Sequence, residues 1–463
     1  MTIFDRRNRQ DLDQLVEEFA TTSMPRRAFM KRALGAGLSI SAASALLAAC
    51  GGGSTPNGST KVSTIDILTE WSGEELASFK AITDAFTKKT SNGIKVNIES
   101  TRDLPAVLST RVRGNNPPDV CGMPSLSTFQ QLAHQKKLIA LDSYFDMADF
   151  KSQYNQTWID LSSVDGHLYA VLPKANSKGT IWYNPTTFKA VGGTIPTTWD
   201  ELISVSDKIA GQGKYPWAMG VESAASSGWP AADWVDQIFL SQNGPDLYNQ
   251  WVAHKIPWTH SSVKAAFQAF GQIANGKHYI NGAPQSILAT NFQDASYQPF
   301  APNPKSYMYY LGDFTQGFIT TQYKTLKAGT DYDFFEFPTI NPQYKGAVTG
   351  GADLVVAMKD NDGTRQFMKF LYSAEAQSIW VKRGGATSAN KNVDPSLYPD
   401  DIARKAAKQL TSASFFSVGA DDLMPAAVEN AYWKGLLTYI GDPKQLDSVL
   451  SGIEGTAQQS YTA

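Results

Sequence analysis

The chain has 463 residues, 42% of them hydrophobic and 18% charged, with a formal net charge of −2. This length and apolar content are enough for a sizeable core divided between two lobes. The near-neutral balance argues against nucleic acid as a partner, since phosphate binding needs a clustered basic face. Only two cysteines occur, Cys50 and Cys121, so if the first is modified no internal disulfide remains possible and Cys121 is a single buried thiol.

Residues 25–50 read "PRRAFMKRALGAGLSISAASALLAAC". Arg26, Arg27, Lys31 and Arg32 precede an uncharged run from Ala33 to Ala49 that is short for a membrane span and interrupted by Gly35 and Gly37. It fits a secretion signal over residues 1–49. Arg-Arg-Ala-Phe-Met-Lys resembles the twin-arginine export signal. Leu47-Ala48-Ala49-Cys50 resembles a bacterial lipobox, which implies lipidation of Cys50 as the mature N-terminus; the alternative is an uncleaved N-terminal anchor. Either version places residues 61–463 outside the cytoplasmic membrane. More than one acyl chain holds firmly, at about 0.8 kcal/mol per buried CH2. Residues 50–60 then form a lipidated, flexible tether. Removing residues 1–49, with seven basic and five acidic side chains, leaves 34 and 38, a net charge of −4.

In "KVSTIDILTEWSGEEL" the alternation of Val62, Ile65 and Ile67 predicts a strand, and Leu76, Phe79, Ile82 and Phe86 at spacings of three and four predict a helix. "IKVNIES" alternates as a second strand, and "PPDVCGM" starts a third after a further helical segment. This succession indicates an α/β fold with mainly parallel strands. Ligands in such sheets sit beyond the carboxyl ends of strands, where Trp71 to Glu75 and Gly122 to Ser125 lie. "LYAVLPKANSKGTIWYNPTTF" reads as two extended segments joined by a polar stretch. Thr197 or Thr198 caps a helix in "PTTWDELISVSDKIAG". "SYMYYLGDFTQGF" is extended, "GGADLVVAM" at 350–358 is a strand, and "TRQFMKFLYSAEAQSIWVKRGG" has helical spacing. The tail from 401 is largely helical.

The pieces "IDILTEWSGEE", "PPDV", "GHLYAVLP…IWYN", "PTTWDEL", "YYLGDFTQGF" and "GGADLVVAM…FMKFLYS" occur in an order and spacing that resembles bacterial extracellular solute-binding proteins of family 1, the sugar-binding subunits of ABC importers. The resemblance spans nearly the whole mature chain. It implies a two-lobed periplasmic-binding-protein-like fold (type II), with a hinge and an interlobe cleft that closes around ligand. It further implies crossings near 172–178, 310–312 and 360–363. One lobe is then 61–172 plus 312–360 and the other 173–311 plus 361–463. The implied partners are a mono- or oligosaccharide, the transmembrane permease subunits, and the membrane through the lipid anchor. A monomer without cofactor or metal is expected, and no nucleic acid.

A pyranose has two apolar faces and a rim of hydroxyls, so its site needs flat aromatics and charged or amide groups. Stacking supplies roughly 0.5–1.5 kcal/mol per ring and each hydrogen bond to a charged group about 1.5–3 kcal/mol. Micromolar affinity needs about −8.2 kcal/mol after rigid-body entropy is met, hence two rings and several ionic bonds. Trp71 at a strand end either stacks on ligand or packs on the lobe surface. Glu74 and Glu75 either accept hydroxyls or cap the following helix. Asp313 stands where the family places a ligand-contacting acid, and Phe314 replaces the Trp of the family's Gly-Asp-Trp. Of Trp229 and Trp234 in "SGWPAADWVDQIF", Trp229 in the Gly-Pro loop is favoured for the cleft, and Trp234 is equally a core residue. Ser177 and Lys178, in the polar stretch across the first crossing, are candidates for ligand contact. Asp353 binds ligand or makes a cap or hinge bond. Arg383 grips vicinal hydroxyls or is a surface arginine, whereas Asp119 ties a turn. Glucose-binding relatives carry His and Gln after the third strand, where this chain has Gly122, Met123 and Pro124, so the resemblance implies a sugar without fixing glucose.

Five histidines form no metal-ligand pair, and C-x-x-C, G-x-S-x-G, Walker A and G-x-G-x-x-G are absent. No enzyme activity is expected. The rival readings are a secreted glycoside hydrolase, which needs two carboxyls about 5–9.5 Å apart, and a sugar receptor that feeds a sensor instead of a transporter.

Overall fold

The computed structural model describes residues 62–90 and 93–461. The signal, Cys50 and the tether lie outside the described residues. Among the described residues no helix is long and apolar enough to cross a membrane.

Strand β1 (Thr64–Thr69) lies between β2 (Lys95–Ser100) and β3 (Val120–Met123), parallel to both. β1 buries Ile65, Ile67 and Leu68, while edge strand β2 keeps an exposed face, as a one-sided edge must. Helix α1 (Gly73–Lys89) connects them and buries Phe79, Ile82 and Phe86; helix α2 (Leu104–Arg113) leads to β3, and α3 (Leu126–His134) follows it. After a short hairpin, β4 (Ser163–Val164) and β5 (His167–Leu168), strand β6 (Ala170–Ser177) runs beside β11 (Ala347–Ala357), which also pairs with β3 and with β12 (Phe415–Val418). β11 is antiparallel to β3 and β6 and parallel to β12. The expectation of mainly parallel strands therefore holds only for part of this sheet, because β11 enters it from the opposite lobe instead of through a local crossover helix.

The second sheet has the order β10 (Asp333–Glu336), β7 (Thr180–Tyr183), β9 (Ser306–Tyr310), β8 (Tyr215–Ala218). Around it pack α4 (Trp199–Ala210), α5 (Trp229–Val252) and α6 (Ser261–Ala274). Thr198 caps α4 in a reciprocal capping box with Glu201, and the indole of Trp199 buries at its first position. Helix α5 bends at Gly244, followed by Pro245, where the helical ladder is broken.

Two large apolar cores divide the molecule, and they correct the lobe boundaries. Helix α7 (Thr315–Gln322) and β10 belong with the second lobe: Phe318 and Phe334 pack with Trp182, and β10 pairs with β7. Helices α8 (Asp362–Leu371) and α9 (Ala374–Arg383) bury Phe367, Met368, Leu371 and Trp380 in the first core, not the second. The chain crosses between sheets at 177–180, re-enters the first lobe along β11 at 347–350, and leaves it at 418–420. Helix α10 (Asp401–Ser412) spans the crossing, and its Gln409 bonds the Ser177 hydroxyl and the Gly179 carbonyl, both at 2.7 Å. Helices α11 (Ala420–Leu423), α12 (Ala426–Gly441) and α13 (Leu446–Ser460) complete the second lobe.

Candidate functional site

A cavity of about 250 Å3 lies between the lobes. The first lobe contributes Glu70, Trp71 and Glu75 from the end of β1, Arg102 from the end of β2, Met123 to Ser125 after β3, and Lys174 and Asn176 of β6. The second contributes Trp229 at the start of α5, Phe292, Phe314, and Asp421, Asp422, Glu429 and Trp433 of the C-terminal helices. The carboxyl ends of β1 and β3 meet here, as expected for ligand crevices in α/β sheets.

Trp71 is 4% exposed, packed edge-on to Trp380 with ring centroids 5.3 Å apart. Its Nε1–H donates to Asp353 Oδ2 at 2.6 Å. Gly122 makes room for the ring: a Cβ there would stand 3.0 Å from Trp71 Cη2. Asp353 Oδ2 also lies 2.8 Å from Lys174 Nζ, which bonds Glu75 Oε1 at 2.5 Å and Asn176 Oδ1 at 3.1 Å. Asn176 in turn donates to Asp313 Oδ1 at 2.6 Å. Burial acts to strip the Lys174 proton, but Asp353 and Glu75 outweigh it and hold the ammonium above its ordinary pKa. Paired charges of this kind are retained only when every partner is in place.

On the opposite wall, Lys178 Nζ lies 2.6 Å from Asp233 Oδ1 and 3.5 Å from Asp422 Oδ2, and sits 5.8 Å from the Trp229 ring centroid. Burial pushes Lys178 down, and the cluster of Asp233, Asp422 and Asp421 pushes it further up. Trp229 packs edge-on to Phe292 at 5.0 Å. The helix can start there because Gly228 takes φ 109°, a conformation costly for other residues, and a Cβ would press on the Trp433 carbonyl oxygen at 2.7 Å. Trp433 Nε1–H donates to Asp421 Oδ2 at 2.8 Å. At the cavity edge Arg102 reaches from the first lobe to Ser223 Oγ of the second at 2.8 Å, and pairs with Glu70 at 3.6 Å. Burial pushes the Glu70 carboxyl up to about 7 against the pull of Arg102. Asp422 and Glu429 are also driven well above the usual carboxylate range, first by burial.

Of the residues singled out from sequence, Trp71, Glu75, Lys178, Trp229, Phe314 and Asp353 line this cavity. Five do not. Asp313 lies one layer behind, accepting from Asn176 and, at 3.4 Å, from Thr387, with burial raising its carboxyl to about 6. Ser177 turns to Gln409. Trp234 is 2% exposed in the second core against Tyr310 and Trp217. Glu74 and Arg383 pair with each other at 2.9 Å beside a separate small crevice, with Arg383 also bonding Ser78. Asp119 ties its turn, accepting from Asp66 N and Asn361. The sequence reading passed over Glu70, Arg102, Lys174, Asn176, Asp421, Asp422, Glu429 and Trp433. Glu70 adjoins Trp71 at the end of β1 and was open to the strand-end argument; the C-terminal acids stand in helices whose pattern gives no such signal.

Among the described residues, no group of three or more His, Cys, Asp or Glu is arranged to hold a metal ion.

Residues 70–378 match the family described as bacterial extracellular solute-binding protein. The osmoprotective compounds-binding protein GgtB of Synechocystis sp. is 32% identical over 83% of this chain and 90% of its own length. The alpha-glucosides-binding periplasmic protein AglE of Rhizobium meliloti is 28% identical over 85% and 87%. Among solved structures, the bacterial solute receptor AcbH superposes with a TM-score of 0.75 at 22% identity, over 86% of this chain and 99% of the other. A chitin oligosaccharide binding protein does so with a TM-score of 0.76 at 16% identity over the same shares. These likenesses establish the two-lobed type II binding-protein fold. By the family match and the extent of its relatives, the chain belongs to the bacterial extracellular solute-binding proteins.

Proposed function

We propose that this protein captures a small saccharide between its lobes outside the cytoplasmic membrane and delivers it to the transmembrane subunits of an ABC importer. The observation that carries the reading is a set of three buried polar atoms without a hydrogen-bond partner, each on a residue that lines the cavity: Arg102 Nε, Trp229 Nε1 and Glu429 Oε1. Buried polar atoms are seldom left unpaired, because each costs about 1–3 kcal/mol. A ligand with several hydroxyls, each able to donate and accept, suits both the two donors and the acceptor in this set. Trp71, Trp229, Phe292, Phe314 and Trp433 supply the flat apolar faces of such a site. Lys174 and Lys178 are already neutralised by carboxylates, so the cavity offers them to no acidic ligand.

The cavity, at about 250 Å3, is just below the roughly 300–1,000 Å3 of drug-sized sites, which favours a mono- or disaccharide over a long chain. AglE is named for alpha-glucosides and GgtB for osmoprotective compounds, which supports small α-glucosides as the first candidates. The reading is of capture, with the sugar released unchanged. It includes export through a twin-arginine signal, lipidation at Cys50, and a single copy as the working unit. Calorimetry of the purified chain against maltose, trehalose, sucrose, raffinose and galactose tests it. Binding of at least one with the sugar recovered intact is expected; absence of heat from all five, or hydrolysis, overturns it.

A further inference from the structure

We propose that Glu429 couples ligand occupancy to lobe closure, one carboxyl oxygen facing the sugar and the other joining the two lobes. The proposal rests on the capture reading and names the residue that transmits it. Glu429 stands in α12 of the second lobe, in the first turn, and is 3% exposed. Its Oε2 receives the hydroxyls of Ser125 at 3.3 Å and Ser127 at 3.4 Å. Both serines belong to the first lobe: Ser125 caps α3, accepting from Thr128 N, and Ser127 opens its first turn. The two hydroxyls are 3.0 Å apart and converge on the one oxygen.

Oε1 of the same carboxyl is buried, has no partner, and belongs to a residue that lines the cavity. A residue needed only to hold the lobes together would be satisfied through either oxygen. Here one is used across the cleft and the other is left without a partner on a residue that lines the cavity. Arg102 shows a similar division, its Nη2 reaching Ser223 across the cleft while its Nε has no partner, whereas Asn176 and Asp313 bond behind the wall. Asp422, Asp421 and Glu70 face Glu429, so its carboxyl is held among acids and its bonds to the serines and the sugar are what favour the closed arrangement. With the sugar gone, Oε1 has no partner in the closed state and gains water by opening.

The test uses the full chain and whichever of maltose, trehalose, sucrose, raffinose and galactose it binds most tightly. Kd is measured by calorimetry and sugar-induced compaction by small-angle X-ray scattering. Glu429→Ala is expected to raise Kd about tenfold or more and to reduce the compaction at saturation. Ser127 does not line the cavity, so Ser127→Ala acts on Kd only through closure, raising it about two- to tenfold. In the Glu429→Ala background the same change is expected to add nothing, since the two groups act as one unit. Wild-type Kd and compaction in Glu429→Ala, or additive effects in the double variant, overturn the coupling while leaving capture intact. If none of the five sugars binds the wild-type chain, both fall. Should Glu429→Ala fail to fold, Glu429→Leu fills the volume, removes both oxygens and is judged by the same two readouts.

Discussion

Trp71 and Asp353, 282 residues apart, are joined by a 2.6 Å hydrogen bond from the indole Nε1 to the carboxylate Oδ2. The bond ties the loop after β1 to the middle of β11, and Lys174 holds the same oxygen from β6. The plane of the indole is therefore fixed before any ligand arrives, which lowers the ordering cost of stacking. Asp353→Ala is expected to weaken sugar binding by about tenfold, the scale of one charged hydrogen bond. Lys174 keeps Glu75, so the fold survives with a modest loss of thermal stability. An unchanged Kd by calorimetry would show that the tether of Trp71 does not matter to binding.

Trp229 and Trp234, five residues apart on one helix, should answer differently to substitution. Trp229→Phe keeps an apolar ring against Phe292 and deletes an N–H that has no partner in the protein. Kd should rise about three- to tenfold while the unfolding midpoint holds or rises slightly, since an unpaired buried donor has been removed. Trp234→Ala opens a hole in the second core beside Trp217 and Tyr310 and should cost about 3–5 kcal/mol. Urea unfolding followed alongside calorimetry separates the two effects.

Cys50 lies outside the described residues, and the lipidation proposed for it rests on the sequence "LLAAC" alone. Cys50→Ser removes the proposed lipid acceptor while leaving the apolar run intact. The variant should move from the membrane pellet to the soluble fraction, with sugar affinity unchanged. Retention in the pellet would favour an uncleaved anchor.

Local chemistry was legible where a residue's role depends on its neighbours in sequence. The alternation around Ile65 and Ile67 marked β1, and the Thr198 cap announced α4 because a capping box is complete within four residues. The lobe boundaries were not legible, since β10 is four residues long and α8 looks alike on either side of a hinge. The same holds at the site. Trp71 could be placed from its position at a strand end, but Asp313 looks equally exposed in sequence and proves to lie behind Asn176. Asp422 and Glu429 sit in a helical tail whose pattern gives no sign that they are buried, yet they are 8% and 3% exposed.

Glu70 makes stability depend on pH in a direction opposite to most paired carboxylates. Its ordinary value of 4.5 is raised to about 7 in the folded protein, chiefly by burial. Between these values the folded state binds more protons than the unfolded, so stability is fullest below the lower one and falls as pH rises through the folded value. At about 1.4 kcal/mol per unit, the loss approaches 3 kcal/mol by pH 7.5, less whatever water at the cavity screens. Glu70→Gln removes the titrating group while retaining its shape. The variant should match the wild type in urea unfolding at pH 4 and exceed it at pH 7.5, so that the gap widens with pH. A gap independent of pH would mean that Arg102 keeps Glu70 ionised throughout, and that the carboxylate is an ordinary partner of the guanidinium within the first lobe.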